Sequence, residues 1–390
     1  MAAEGKDMPG ADPDWNGMPE AEFRGILSAF IEDECPAGLR HYPHRFPAET
    51  TMPWYRALHR RNFIAPGWPV EYGGMGLTPD RHLIFIEEME SAGTPWLHDA
   101  GVRNLGPAII AWGTQEQKAH YLPKMHAGEH IWCQGYSEPA AGSDLASLQC
   151  DGRIEGGRLI INGQKIWTTS AHVASHMFAL IRTNRSGPKQ EGISFVLIDM
   201  RLPGITVRPI ENLSGHPDFC EVFFDDVSVG IECILGEPDK GWAVARSLLG
   251  FERIWAGSPK RALKVLLALR RQMEERGLLT GDYWRDRLAQ AIFDTQDAQD
   301  MYAGFADLVR SDGKVGVEIS ALKIWSTSVF QRLSELLLEV AGSDAVLAGE
   351  GASDLLAPYY ESRAPTIFAG TNEIHRNILA RSVLGLPKSD

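Results

Sequence analysis

Apolar residues recur at helical spacing in the first and last thirds of the chain and at strand spacing in between. Between about residues 20 and 130 the pattern is helical, with Leu83, Ile86 and Met89 on one face of the stretch Asp80 to Gly93. Thr114, followed three residues on by Gln117, predicts a capping box at a helix start. Gly67-Trp68-Pro69 and Gly73-Gly74-Met75-Gly76 predict loops. From about 131 to 230 short strand-like runs take over: Ile193 to Ile198, Ile205 to Ile210, and Cys220 to Val229, where Cys220, Val222 and Phe224 alternate with Glu221, Phe223 and Asp225. Gly156-Gly157 separates two such runs, and Asn162-Gly163 predicts a tight hairpin between Leu159-Ile160-Ile161 and Lys165-Ile166-Trp167. Several short strands at near-regular spacing predict an antiparallel barrel or sandwich. From Gly241 the helical period returns, and Leu322, Trp325, Val329, Leu333, Leu336 and Val340 form one apolar stripe that a packed core explains by itself. The expected organisation is α+β and multidomain: helices over 1–130, a β domain over 131–238 and a helical bundle over 239–390.

A length of 390 residues suits two or three domains, and 44% hydrophobic with 23% charged residues suits a soluble globular enzyme. The net charge of −13 argues against nucleic acid or an anionic membrane as main partner, while leaving room for a small anion in a local basic pocket. Five cysteines without a Cys-x-x-Cys pair fit free thiols in a reducing compartment. No apolar run reaches the roughly 18 residues of a membrane span. The acidic, Pro- and Gly-rich stretch Met1 to Glu20 reads as a flexible start without a signal pattern, so a cytoplasmic protein is expected.

The P-loop and Rossmann glycine patterns, H-E-x-x-H and G-x-S-x-G are all missing. His41 and His44 have no partner cluster, and no metal site is expected. Ser320-Ala321-Leu322-Lys323 matches S-x-x-K but lacks the companion motifs of those hydrolases, and reads as coincidence within the helical stripe. Glu252 stands out: its helical neighbours Leu248, Leu249, Trp255 and Ala256 include no base, so no i,i+4 surface pair accounts for it. A carboxylate on an apolar helix face is desolvated, which raises its pKa toward that of a general base working near neutrality. The plainer account is a Glu at a helix bend, paired with Arg253 or with a distant residue. In Gly370-Thr371-Asn372-Glu373-Ile374, Thr371 is a plausible N-cap for a short terminal helix.

Seven segments, in order, resemble the acyl-CoA dehydrogenase family over nearly the whole chain: Trp68-Pro69-x-Glu71-x-Gly73-Gly74; Gly113-Thr114-x-Glu116-Gln117-Lys118 with Leu122-Pro123; Tyr136-Ser137-Glu138-Pro139-Ala140-Ala141-Gly142-Ser143-Asp144; Gly163-x-Lys165-x-Trp167-x-Thr169-Ser170; Phe224-Asp225-Asp226-Val227-x-Val229; Gly241-Trp242; and Gly370-Thr371-x-Glu373-Ile374-x-Arg376. The resemblance implies an N-terminal helical domain, a middle β-barrel domain and a C-terminal four-helix bundle. It implies FAD as cofactor, with Gln134, Tyr136, Ser137, Trp167 and Thr169 against the isoalloxazine and Thr371 and Glu373 near the terminal helix. Ser143 is expected near the ligand's pantetheine or the flavin diphosphate.

The implied reaction is α,β-dehydrogenation of an acyl-CoA: a carboxylate takes the α-proton while the β-hydrogen leaves as hydride to flavin N5. The thioester oxygen is held by preorganised donors, one of them a backbone N–H in the segment Phe368-Ala369-Gly370. The family's commoner base position matches Ala369, which cannot act as a base but keeps its N–H. A minority of the family places the base where Glu252 stands, followed by an arginine matching Arg253, which is expected to support the substrate or orient the carboxylate. Two segments depart from the pattern. Tyr283 to Gln296 replaces the partner-subunit R-x-x-F-G segment, with Arg285 and Arg287 as possible substitutes, and Leu338 to Asp344 replaces the Gln-plus-diglycine segment near the adenine. The resemblance implies an electron-transfer flavoprotein as acceptor and a homotetramer or homodimer, with a heteromer open. Same-fold alternatives are an acyl-CoA oxidase, a desulfinase, or a non-catalytic subunit of a heteromeric dehydrogenase.

Overall fold

The computed structural model describes residues 13–41, 45–312, 315–346 and 355–387; the side chains of 249–256, 312 and 346 lie outside the described set, as do most of the acidic N-terminal stretch and His44. Five α-helices come first: α1 (Glu20–Glu34), α2 (Ala48–Arg60), α3 (Pro79–Ser91), α4 (Gly106–Trp112) and α5 (Gln115–His126). α1 buries Phe23, Leu27, Phe30 and Ile31, and Phe30 packs on Trp54 and edge-on to Phe63. The box at the start of α5 is formed as the sequence predicts: Gln117 N–H donates to Thr114 Oγ1 at 3.2 Å and Thr114 N–H to Gln117 Oε1 at 3.0 Å. Gln117 Nε2 then donates to the carbonyls of Glu232 and Ile234, so the same residue that starts the helix ties it to the β part.

Eight strands follow: β1 (Trp132–Gly135), β2 (Asp151–Glu155), β3 (Arg158–Thr169), β4 (His176–Arg182), β5 (Ile193–Asp199), β6 (Ile205–Ile210), β7 (Phe219–Gly230) and β8 (Ile234–Leu235). They form one sheet in the order β6-β7-β3-β2-β4-β5-β8, with β1 added beside β4. Every residue of β4 is buried. Phe178 and Leu180 join the core shared with the helices, whereas Met177, Ala179 and Ile181 join the core inside the β part. Burial on both faces is why β4 reads as a continuous apolar run.

Two sequence expectations need correction. The described strands do not close into an antiparallel barrel: β6 and β8 are the ends of the order, and β1 pairs parallel with β4. Alternation shows which residues face inward but not the direction or closure of pairing. Asn162-Gly163 is not a hairpin either. β3 runs straight through it with a register shift against β7. Gly163 has φ 135, and a Cβ there would lie 2.9 Å from Cys150 Cα, so the glycine serves close backbone approach rather than a turn. The Asn162 side chain bridges to Asp226 instead. The hairpin is at Gly156-Gly157, both left-handed (φ 54 and 78), joining β2 to β3.

The last part holds α6 (Gly241–Ala256), α7 (Lys260–Glu275), α8 (Asp282–Asp312), α9 (Ile319–Ala341), α10 (Ala357–Arg363) and α11 (Asn372–Ser382). α9 is central, packing on α6, α7, α8, α10 and α11. Its stripe is buried at Leu322, Val329, Leu333, Leu336 and Val340, while the half-buried Trp325 donates to Asp294 O at 3.1 Å. Among the described residues no helix is long and apolar enough to cross a membrane, no cluster of metal-type side chains occurs, and all five cysteines are free thiols.

Two interior polar features carry testable consequences. Lys165, fully buried, places Nζ 2.7 Å from Glu138 Oε1, and the same carboxylate accepts the N–H groups of Gln149 and Cys150 at 2.6 and 2.9 Å. Lys165→Met strands that buried charge and is expected to lower stability by about 3–5 kcal/mol in denaturant unfolding; a loss under about 1 kcal/mol contradicts this reading. The second is a histidine seam. His126 Nδ1 lies 2.7 Å from His59 Nδ1, and His130 stacks on His176 with ring centroids 3.8 Å apart. Burial pulls His126, His130 and His176 from 6.5 down to about 4. The unfolded chain therefore binds more protons than the folded one between these values, and stability falls as pH drops from about 6.5 to 4. Melting temperature is expected to decline through that window, and less steeply in His176→Phe; equal slopes in both proteins contradict the assignment.

Candidate active site

Two segments of the β part lie side by side. Ile166 N–H donates to Ser137 O at 2.9 Å, and Lys165 Nζ reaches Tyr136 O at 3.3 Å, so 134–138 and 165–170 are held together. The pairing of β3 with β7 shifts register between Lys165 and Thr168. Within the shift Trp167 adopts φ 59 and is 58% exposed, its ring edge-on to Phe219. A bulge of this kind re-aims a side chain, and a left-handed tryptophan is strained enough to need support from both sides. Ser170, also left-handed, supplies it at one end: its Oγ lies 2.8 Å from His98 Nδ1, which ties the strand end to the helical part.

Near Trp167 stand the half-buried Ser137, whose carbonyl accepts from Ile166 N–H, and Thr169, two residues along the strand; Gln134, also half-buried, lies on β1 opposite Phe178. An outward aromatic flanked by hydroxyl and amide groups suits a planar heteroaromatic ligand. Tyr136 is placed differently: its ring is buried edge-on to Phe178 and Phe195, so its side chain belongs to the core and its backbone is what remains for a ligand. Ser143 is exposed, next to an ion pair of Asp144 and Lys189 at 2.6 Å. A cavity of about 200 Å³ lies near the strand end, lined by Thr51, Met52, Tyr55, Leu97, His98 and Val173 among others.

The second candidate surface is the turn before α11. Ala369 and Gly370 are both left-handed (φ 53 and 85), and Thr371 caps α11, its Oγ1 accepting from Ile374 N–H at 3.1 Å. Lys323 Nζ on α9 donates to Gly370 O at 2.7 Å and to Asn372 Oδ1 at 2.9 Å. His375 Nε2 lies 2.9 Å from Ala369 O, which can only accept, so Nε2 carries the proton; Nδ1 then accepts from Ser320 Oγ at 3.0 Å. Burial lowers the Lys323 ammonium to about 8. Glu373 is exposed, 3.3 Å from Arg376, and the N–H groups at the helix start hold its carboxyl below the usual range. The sequence reading missed Lys323 and His375. A signal existed: Lys323 sits in the apolar stripe with Ile319, Ser320, Ser326 and Thr327 as helical neighbours and no acid among them.

Glu252 and Arg253 lie on α6; their side chains are outside the described residues. α6 begins at Gly241, where a Cβ would fall 2.2 Å from Phe195 N, so only glycine lets the helix start flush against β5. Just past its end, Gly257 O accepts from Ser326 Oγ of α9 at 2.8 Å. The helix thus spans from the sheet to the element that holds the 369–371 turn. The departing segments are tied to carboxylates: Arg287 pairs with Glu339 at 2.6 Å, Arg276 with Asp344 at 2.6 Å, and Arg285 with Asp282.

Family models for the acyl-CoA dehydrogenase N-terminal, middle and C-terminal domains match residues 19–129, 133–227 and 239–384. Acyl-CoA dehydrogenase IpdE1 of Mycobacterium tuberculosis is 35% identical over 386 residues, covering 94% of this chain and 97% of that protein. Among solved structures, the Tcur3481-Tcur3483 steroid ACAD aligns with a TM-score of 0.86 at 26% identity, over 97% of this chain and 100% of that one. The ChsE4-ChsE5 complex from Mycobacterium tuberculosis aligns at 0.81 and 27% identity, over 98% and 100%. Three domain matches in order and relatives of matching length agree with the motif series and the fold: the chain belongs to the acyl-CoA dehydrogenase family of flavoprotein oxidoreductases.

Proposed function

We propose that this protein is an FAD-dependent dehydrogenase of an acyl-CoA, with Glu252 as the base. The observation that carries the cofactor reading is the exposed, left-handed Trp167 at the bulge of β3, with Ser137 and Thr169 beside it. These groups, with Gln134 and the Tyr136 backbone, would hold the isoalloxazine; Thr371 and Glu373 would meet the cofactor at the start of α11, and Ser143 would lie near its diphosphate or the pantetheine. The flavin, when bound, takes up the β-hydrogen as hydride.

The chain supplies the remaining chemistry. The α-proton of a thioester is too weakly acidic for a free carboxylate, so its removal requires the carbonyl oxygen to be held by fixed donors. Ala369 has no acidic side chain, but its N–H can serve as such a donor. Glu252 comes from another helix, one that runs from the sheet to α9, and takes the proton; Arg253 orients the carboxylate or the substrate. The steroid named for one structural relative makes a steroid-derived acyl-CoA the first substrate class to test, beside straight-chain thioesters. An electron-transfer flavoprotein is the proposed acceptor. A homotetramer or homodimer is the proposed assembly, with a heteromer as the alternative.

Glu252→Gln tests the base. The variant is expected to keep bound FAD and to lose about 10²–10⁴-fold in the rate of flavin reduction by the accepted acyl-CoA, the range for a positioned base. Near-parental reduction in stopped flow sinks the assignment. Rapid reoxidation of the reduced flavin by oxygen alone points to an oxidase.

A further inference from the structure

Beneath the turn 369–371 lies a set of buried polar side chains that the mechanism above does not use. Lys323 and Ser320 are fully buried on α9, and His375 is 2% exposed on α11. A lysine without solvent is costly, and a methionine would fill the same space. Here two of its donors are directed: Nζ reaches Gly370 O and Asn372 Oδ1, and the Asn372 amide is itself held by Thr327 and Ser328. His375 holds the preceding carbonyl, that of Ala369, and is backed by Ser320. The fit is close, since a Cβ on Gly370 would come within 3.0 Å of His375 Nε2.

Two successive carbonyls are therefore turned down toward α9 and α11. In a trans peptide the N–H points opposite to the C=O of the same unit. The N–H groups of Gly370 and Thr371 are accordingly turned the other way, away from these two helices. Among the described residues, the N–H groups of Ala369, Gly370 and Thr371 donate to no protein acceptor. A cation bound to the Gly370 carbonyl also polarises that peptide and strengthens its N–H as a donor.

We propose that Lys323 and His375 are positioning residues for the reaction, locking the two peptide planes on either side of Gly370 so that the turn carrying the Ala369 N–H keeps one conformation against the acyl carbonyl. The inference rests on the dehydrogenase reading for its chemistry, but not for its geometry.

The test uses the FAD-bound enzyme and its Lys323→Met, His375→Leu and His375→Gln variants. Gln can still donate to Ala369 O, and Leu cannot. Exchange of the hydrogen-bonded amides that flank the turn, at positions 367, 368, 374 and 375, is expected to rise about 10-fold or more in Lys323→Met and His375→Leu, with the rest of α9 unchanged and the Gln variant close to the parent. With the acyl-CoA that reduces the parental flavin, kcat is expected to fall about 10- to 100-fold in the first two variants while KM stays within about 3-fold, as for weakened transition-state donors. Exchange equal to the parent in all variants overturns the proposal. So does faster exchange with unchanged kcat, or a Gln variant as impaired as Leu. If Lys323→Met does not fold, the Leu and Gln pair decides alone. If the parent is reduced by no acyl-CoA, the dehydrogenase reading fails by itself, while the exchange measurement still decides whether these residues hold the turn.

Discussion

The buried pair of Lys165 and Glu138 is the interaction on which the proposed cofactor surface depends. Glu138 closes the turn after β1 and accepts the N–H groups of Gln149 and Cys150, while Lys165 lies on β3 two residues before the exposed tryptophan. Their contact binds two segments 27 residues apart in sequence into one surface. With Lys165 anchored below and Ser170 tied to His98 above, the intervening bulge can hold Trp167 in a left-handed conformation that a free strand would relax. The same carboxylate and ammonium, left unpaired, would each be a buried charge, so the surface forms as a unit or not at all.

The proposed substrate side is built on α9 by a similar device. Most of this helix is an apolar stripe that organises the C-terminal bundle. Its first turns instead carry Ser320 and Lys323, which reach α11 and the turn before it. One rigid element thus fixes the core and the turn together. α6 joins the two sides, because it starts flush on β5 and ends against Ser326 of α9. A base on α6 is therefore carried by an element in register with both the sheet and the turn, and does not depend on a loop.

What was legible in the sequence was local. Helical stripes, the box at Thr114 and Gln117, the cap at Thr371 and the strand-rich middle all follow from side chains within a few residues of one another. Family resemblance added the order of the parts, which the three domain matches bear out. What was not legible depended on distant partners. Gly163 looks like a turn residue until Cys150 is seen packed against it. Strand direction and barrel closure depend on pairing that alternation does not encode. Ser320 and Lys323 resemble a chance motif because their partners lie 55 and 47 residues downstream. Tyr136 matches a cofactor motif, yet its ring is taken up by Phe178 and Phe195. Glu252 is singled out for the opposite reason, that its neighbours three and four residues away include no base, and it stays a proposal.

The central claim is that these surfaces make one redox site for an acyl thioester. The most direct measurement is an anaerobic titration of the purified, FAD-bound protein with steroid-derived and straight-chain acyl-CoAs, following the yellow flavin band and analysing the thioester by mass. The account predicts that at least one acyl-CoA bleaches the flavin and is recovered two hydrogens lighter, one enoyl product per flavin reduced. A protein that stays colourless after FAD addition, or a flavin left oxidised by every thioester, contradicts it.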